Sequence, residues 1–177
     1  YLILDQNSAF LEDPLTSQHL AGCANVADQR GYGILVQSGR PNQIDEESLA
    51  PLLEGRFDGA IIQLSGKQKL RKKSAELALL SGLPSVILDE VGLSPGQLGV
   101  RADQEQGAFE ITQHLINLGH TEFGMIAGIT NNNDRARDRV KGSVSLLKKN
   151  KIPLTANWIV ECPYTIEAAR EGLAQLL

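Results

Sequence analysis

Apolar residues along this chain fall into short runs separated by longer amphipathic stretches. The runs at residues 1–4, 34–37, 60–64, 85–88, 124–127 and 158–160 are brief and apolar or β-branched. Gly, Pro, Asp or Asn bound them, which predicts strands. Between them the spacing turns helical. Leu15, Leu20, Cys23, Val26 and Ala27 recur near helical intervals over 15–30, and Gly31 stops the pattern. Helices are likewise expected over 46–54, 68–80, 104–118, 137–149 and 166–177. The segment 104–118 is the clearest: Phe109, Ile111, Leu115, Ile116 and Leu118 keep the period, and Gly119 supplies a left-handed turn at its end.

The first four strands begin about every 30 residues, the length of one strand–crossover–strand unit. Alternating strands and helices predict an α/β fold with doubly wound parallel sheets. The strands show little in–out alternation, as expected of strands buried on both faces. The rhythm breaks at 89–99, a stretch with Gly and Pro and no helical period. We read it as the passage between two lobes, residues 1–99 and 100–177, with Val100 leading into the second. That second lobe holds two or three strands and stops in a helix, so more chain is expected beyond Leu177. The first residue is Tyr1 rather than Met, so a trimmed or incomplete N-terminus is also expected.

Composition narrows the function classes. A 42% hydrophobic chain of 177 residues has enough apolar material for a core, which excludes a disordered reading. A net charge of −4 makes the chain by itself a poor clamp for nucleic acid. No stretch approaches the length of a membrane span. Cys23 and Cys162 are too few for a disulfide framework or a zinc knuckle, which agrees with a reducing, cytoplasmic setting.

In open parallel sheets ligands sit beyond the carboxyl ends of the strands. The positions to inspect are therefore Asp5, Gln63, Asp89, Asp103 and the loop 128–136. Enzyme signatures fail one after another. Gly66-Lys67 lacks the earlier glycine of a phosphate loop, and Gly31-Tyr32-Gly33 precedes a strand where a dinucleotide loop would follow one. No serine elbow is present, and no His/Asp/Glu cluster has metal spacing, so no cofactor is expected. His19 and Cys23 lie four apart on one helix, but two ligands make a weak site. His120 reads as a helix-end donor. Lys67, Lys69, Arg71, Lys72 and Lys73 read as a solvated helix face. Arg135, Arg137 and Arg139 lie in and just after a polar loop. Such forks suit carboxylates, phosphates or paired sugar hydroxyls, against the alternative of surface arginines in a first turn.

An ordered set of short motifs resembles the core of lac-repressor-type (LacI/GalR) bacterial transcription regulators. It runs through Arg30-Gly31-Tyr32, Phe57 to Ile62, and Leu83 to Asp89. It continues through Val100 and Asp103, His114-Leu115-Ile116, Leu118-Gly119-His120, Ala127-Gly128, and Arg139 with Gly142. The resemblance spans nearly the whole chain. It implies a periplasmic-binding-protein-like fold of two lobes with an effector cleft between them, and a homodimer. Carried over residue by residue, it implies effector contacts at Leu15, Thr16, Gln63 and Asp89 from the first lobe. From the second it implies Asp103, Asn133, Arg135 and Arg139, with Arg139 foremost because the Arg139–Gly142 frame places it. Many members carry Asn-Pro-Phe-Phe where this chain has Asp13-Pro14-Leu15-Thr16, so the aromatic platform for a sugar or purine ring is missing there. No part of the chain resembles the helix-turn-helix domain through which such regulators bind operator DNA.

Three readings follow. The leading one is an effector-sensing core that binds a small metabolite, a sugar or sugar derivative, and controls DNA binding. The alternative is a sugar-binding protein of a transport system with the same fold. The third is an enzyme using Asp89, Asp103 and Arg139 for acid–base work, which lacks a nucleophile, a metal site and a phosphate loop.

Overall fold

The computed structural model describes residues 2–4, 14–38, 54–64, 68–131, 133–153 and 158–177. Asp5, the helix expected over 46–54 apart from Glu54, and Lys67 lie outside the described residues. Two compact units form, Tyr1–Arg101 and Ala102–Leu177.

The first unit runs β1 (Leu2–Leu4), α1 (Pro14–Gln29), β2 (Val36–Ser38), β3 (Ala60–Gln63), α2 (Gln68–Leu80), β4 (Ser85–Leu88) and β5 (Leu98–Val100). The strands form one parallel sheet in the order β2-β1-β3-β4-β5. The chain therefore steps outward from β1 to β2, then reverses across β1 to β3. That reversal marks a topological switch point. Burial along β3 separates two faces, as the two-residue period of a strand requires. Ala60, Ile62 and Leu64 join Ile87 against Ala75 and Ala78 of α2, all buried. Ile61 packs instead with Leu20 of α1, Ile34 and Val36. A sheet covered on both faces is what parallel pairing demands.

Two sequence expectations need correction here. The stretch 89–99 contains the start of a fifth strand, and Val100 belongs to the first sheet, where it pairs with Leu88. The strand was illegible because it is short and exposed along its length, with Gly99 at its centre. Leu93 packs so close to Gly99 that a Cβ there would have to displace it. The basic run is likewise not uniformly solvated. Lys69, Lys72 and Lys73 are exposed, but Arg71 is buried at 8% exposure and paired with Glu90.

The second unit runs α3 (Gln104–Asn117), β6 (Met125–Gly128), α4 (Asp134–Lys149), β7 (Ile159–Cys162) and α5 (Ile166–Leu176). β6 and β7 pair in parallel, Met125 opposite Ile159 through Gly128 opposite Cys162. Gly172 of α5 lies against Val160 and Ile126, which are register partners. α3 and α4 approach very closely. A Cβ at Gly142 would collide with the Glu105 carbonyl oxygen, and the hydroxyls of Thr112 and Ser143 are hydrogen-bonded at 3.0 Å. Gly119 ends α3 with φ 90, the left-handed turn expected of it.

α4 begins three residues earlier than the periodicity suggests. Asn133 is its N-cap, accepting the Ala136 N–H at 3.2 Å, and Asp134 follows in the first turn. The polar segment read as loop is thus partly a cap and a first turn, which the same residue types favour. Arg135 and Arg137 are therefore helical.

Candidate functional site

The carboxyl ends of β3 and β4 lie side by side, because Gln63 is the register partner of Leu88 and Asp89 follows it. Gln63 is 4% exposed, and its side chain is gripped from α1. Its Nε2 donates to Thr16 Oγ1 at 3.3 Å, and its Oε1 lies 3.5 Å from His19 Nδ1. Thr16 is fully buried in the first turn of α1, whereas its neighbour Leu15 is 46% exposed. The structure thus brings Thr16 and Gln63 together and adds His19, which the sequence pairs only with Cys23. His19 and Cys23 part company. Cys23 lines a groove of about 760 Å³ with Val26, Tyr32, Phe57, Val86 and Leu98, and burial pushes its thiol pKa up. That groove is mostly apolar and lies where β3 and β4 begin, at Ala60 and Ser85, away from the strand ends where ligands bind.

Asp89 adopts φ 57, the left-handed region that residues with a Cβ seldom enter. Its N–H nonetheless donates to the Val100 carbonyl at 2.8 Å, so the turn begins on a firm ladder bond. Such backbone strain clusters at functional sites.

In the second unit the remaining positions form two sets. Asp103 caps α3, accepting the Gln106 N–H at 3.0 Å, and the next residue, Gln104, accepts Arg139 Nε at 2.6 Å. Arg139 is half-buried, and that bond engages one corner of its guanidinium. The other set surrounds the end of β6. Asn133, besides capping α4, donates from Nδ2 to the Tyr164 hydroxyl at 3.4 Å. Tyr164 lies directly over Gly128, where any Cβ would clash with the phenol. Arg135 sits half-buried in the first turn of α4.

Tyr164 went unnoticed in the sequence reading. It lies two residues beyond β7 and four beyond the apolar run 158–160, so the strand-end rule extended past that run would have found it. The connection after β6 is tied to β7 by Glu161, whose carboxylate accepts the Thr130 hydroxyl at 2.7 Å and the Thr130 N–H at 3.0 Å. Those two hydrogen bonds hold its pKa below the ordinary glutamate value.

Chemically, the strand ends offer amide, hydroxyl, guanidinium and phenol groups with their orientations set by hydrogen bonds. Among the described residues no group of three or more His, Cys, Asp or Glu could hold a metal ion. No helix among them is long and apolar enough to cross a membrane.

Comparison with known proteins agrees with this architecture. The repressor PurR of Photobacterium profundum, an HTH-type transcriptional repressor, is 29% identical over 168 residues, covering 92% of this chain and 49% of that protein. Catabolite control protein A of Priestia megaterium is 27% identical over 156 residues, covering 88% of this chain and 46% of that protein. The chain thus spans about half the length of the curated relatives it matches. Among solved structures, the transcriptional regulator CelR–cellobiose complex superimposes with a TM-score of 0.80 at 21% identity, covering 99% of this chain and 54% of that one. A family model described as periplasmic binding proteins and sugar binding domain of LacI family matches residues 2–177, and the chain belongs to that family.

Proposed function

We propose that this chain is the effector-sensing core of a lac-repressor-type transcriptional regulator. It binds a sugar or sugar derivative at its strand ends and controls DNA binding by a helix-turn-helix segment outside this sequence. The observation that carries the reading is the polar set at the carboxyl ends of the parallel strands. Gln63, held by the buried Thr16, and Asp89 supply it in the first unit; Arg139, Asn133 and Arg135 supply it in the second. Amides, carboxylates and guanidinium forks suit the alternating donors and acceptors of sugar hydroxyls. Tyr164, 69% exposed beyond β7, offers an aromatic face at the strand ends of the second unit.

The site binds and does no chemistry. An acid–base pair of Asp89 and Asp103 has little support, because Asp103 is engaged as the cap of α3 and is exposed. The regulator works as a cytoplasmic homodimer without a cofactor. Effector binding shifts its DNA affinity by a coupling of about 1–3 kcal/mol. The match to HTH-type repressors favours this over a transport role.

A thermal-shift screen of the full-length protein against cellobiose, maltose, D-ribose and D-glucose tests the reading. A sugar that binds the folded state raises the Tm. That rise should vanish in Arg139→Ala. A flat response to sugars, sugar acids and phosphorylated sugars alike would sink the proposal.

A further inference from the structure

The buried ion pair of Arg71 and Glu90 belongs to none of the groups above. Arg71 of α2 and Glu90 are 8% and 6% exposed. Arg71 Nε donates to Glu90 Oε2 at 2.7 Å, and Nη2 reaches Oε1 at 3.4 Å. Glu90 Oε1 also accepts the Val91 N–H at 3.2 Å. A buried pair returns little net stability, since desolvation of both ions offsets their attraction, and apolar side chains of similar volume often serve as well. Its distinctive property is geometric. A planar fork against a planar carboxylate admits few arrangements.

Those arrangements fix the residue that follows Asp89. On its amino side, Asp89 is held by its N–H bond to Val100. On its carboxyl side, Glu90 is clamped to α2. Further along the same connection, Gln97 donates to the Ala75 carbonyl of α2 and accepts the Ser94 N–H at 2.7 Å. The β4–β5 connection is thus tied to α2 near both ends. Between these anchors Asp89 keeps its left-handed backbone at φ 57.

We propose that the Arg71–Glu90 pair is a positioning device. It holds the Asp89 backbone in the left-handed conformation and so sets the direction in which the Asp89 carboxylate leaves the sheet edge. The backbone part stands on the geometry alone; the consequence for ligand binding rests on the proposed sugar-sensing role.

The test is the double substitution Arg71→Met with Glu90→Leu in the full-length protein, which removes both charges together. The Cα and Cβ chemical shifts of Asp89 report its backbone conformation, and the Tm reports the fold. Expected are a Tm within a few degrees of the parent and Asp89 shifts that leave the left-handed range. Unchanged shifts in the folded double variant overturn the proposal. Should that variant fail to fold, Arg71→Lys keeps the charge and loses the fork, and the same shifts decide in the same way. The second arm uses whichever of cellobiose, maltose, D-ribose or D-glucose raises the parent Tm. Its affinity should fall about tenfold in the double variant. Moved shifts with unchanged affinity overturn the link to ligand binding. If none of the four sugars raises the parent Tm, the second arm uses whichever sugar acid or phosphorylated sugar does; if none of these binds either, the sugar reading fails, and the shifts alone still decide whether the pair positions Asp89.

Discussion

Gln63 and Thr16 stand 47 residues apart in sequence and meet in the interior, where the Gln63 amide donates to the Thr16 hydroxyl at 3.3 Å. The bond ties the first turn of α1 to the end of β3. It also holds the amide at the sheet edge where Asp89 emerges.

Replacing one partner should therefore cost more than replacing both. Thr16→Val leaves a buried amide N–H without its acceptor and should destabilise the protein by about 1–3 kcal/mol. Adding Gln63→Leu removes the stranded donor and should recover much of that loss. Urea denaturation of the two variants checks this. A single variant no less stable than the double one contradicts the assignment.

Arg139 should matter to binding far more than to folding. Its bond to Gln104 is partly exposed, and a bond of this kind contributes roughly 1 kcal/mol. Arg139→Ala is expected to lower the affinity for an identified sugar by about tenfold or more, with a small change in Tm. Arg139→Lys should not restore the affinity, because an ammonium cannot reproduce the fork. Titration calorimetry distinguishes these outcomes; full binding by Arg139→Ala would remove Arg139 from the site.

Two glycines should respond oppositely to alanine. At Gly142 the new methyl would meet the Glu105 carbonyl, and forcing α3 and α4 apart should cost about 1–3 kcal/mol. At Gly107, within α3, nothing lies within 4 Å of the new atom. Gly107→Ala should stabilise by about 0.4–1 kcal/mol through helix propensity and a stiffer unfolded chain. Thermal unfolding of both variants reads the signs directly.

Glu161 should titrate below the usual glutamate value of 4.5, chiefly because the Thr130 hydroxyl and secondarily the Thr130 N–H stabilise its ionised form. A depressed folded-state pKa contributes stability that is present above the unfolded value and lost as pH falls through the folded one. The loss therefore falls below pH 4.5 and is small, since the carboxylate is exposed. Carboxyl ¹³C titration should show the Glu161 midpoint rising toward 4.5 in Thr130→Val.

Part of the site was legible because strand ends are legible. Gln63 and Asp89 close apolar runs, and a ladder in register puts the ends of β3 and β4 at one edge. Arg71 was misread because its run of basic residues carries no mark of a buried partner, and Glu90 lies 19 residues away across a strand. Asn133 and Arg135 were assigned to a loop because capping residues and loop residues are the same types. Tyr164 was missed because one aromatic in a polar connection has no periodicity to betray it.

By itself the sequence determined most of the described elements, β5 excepted, their alternation and hence the parallel α/β architecture, because periodicity and turn residues act over a few positions along the chain. It also placed Gly119 at the end of a helix, where its left-handed φ of 90 is met in the fold. Only the tertiary structure decided which residues meet: Thr16 with Gln63, Arg71 with Glu90, Arg139 with Gln104, Asn133 with Tyr164. Those pairings depend on register, crossover and helix packing. A hydrogen bond made across 19 to 47 residues leaves no pattern in the residues that make it.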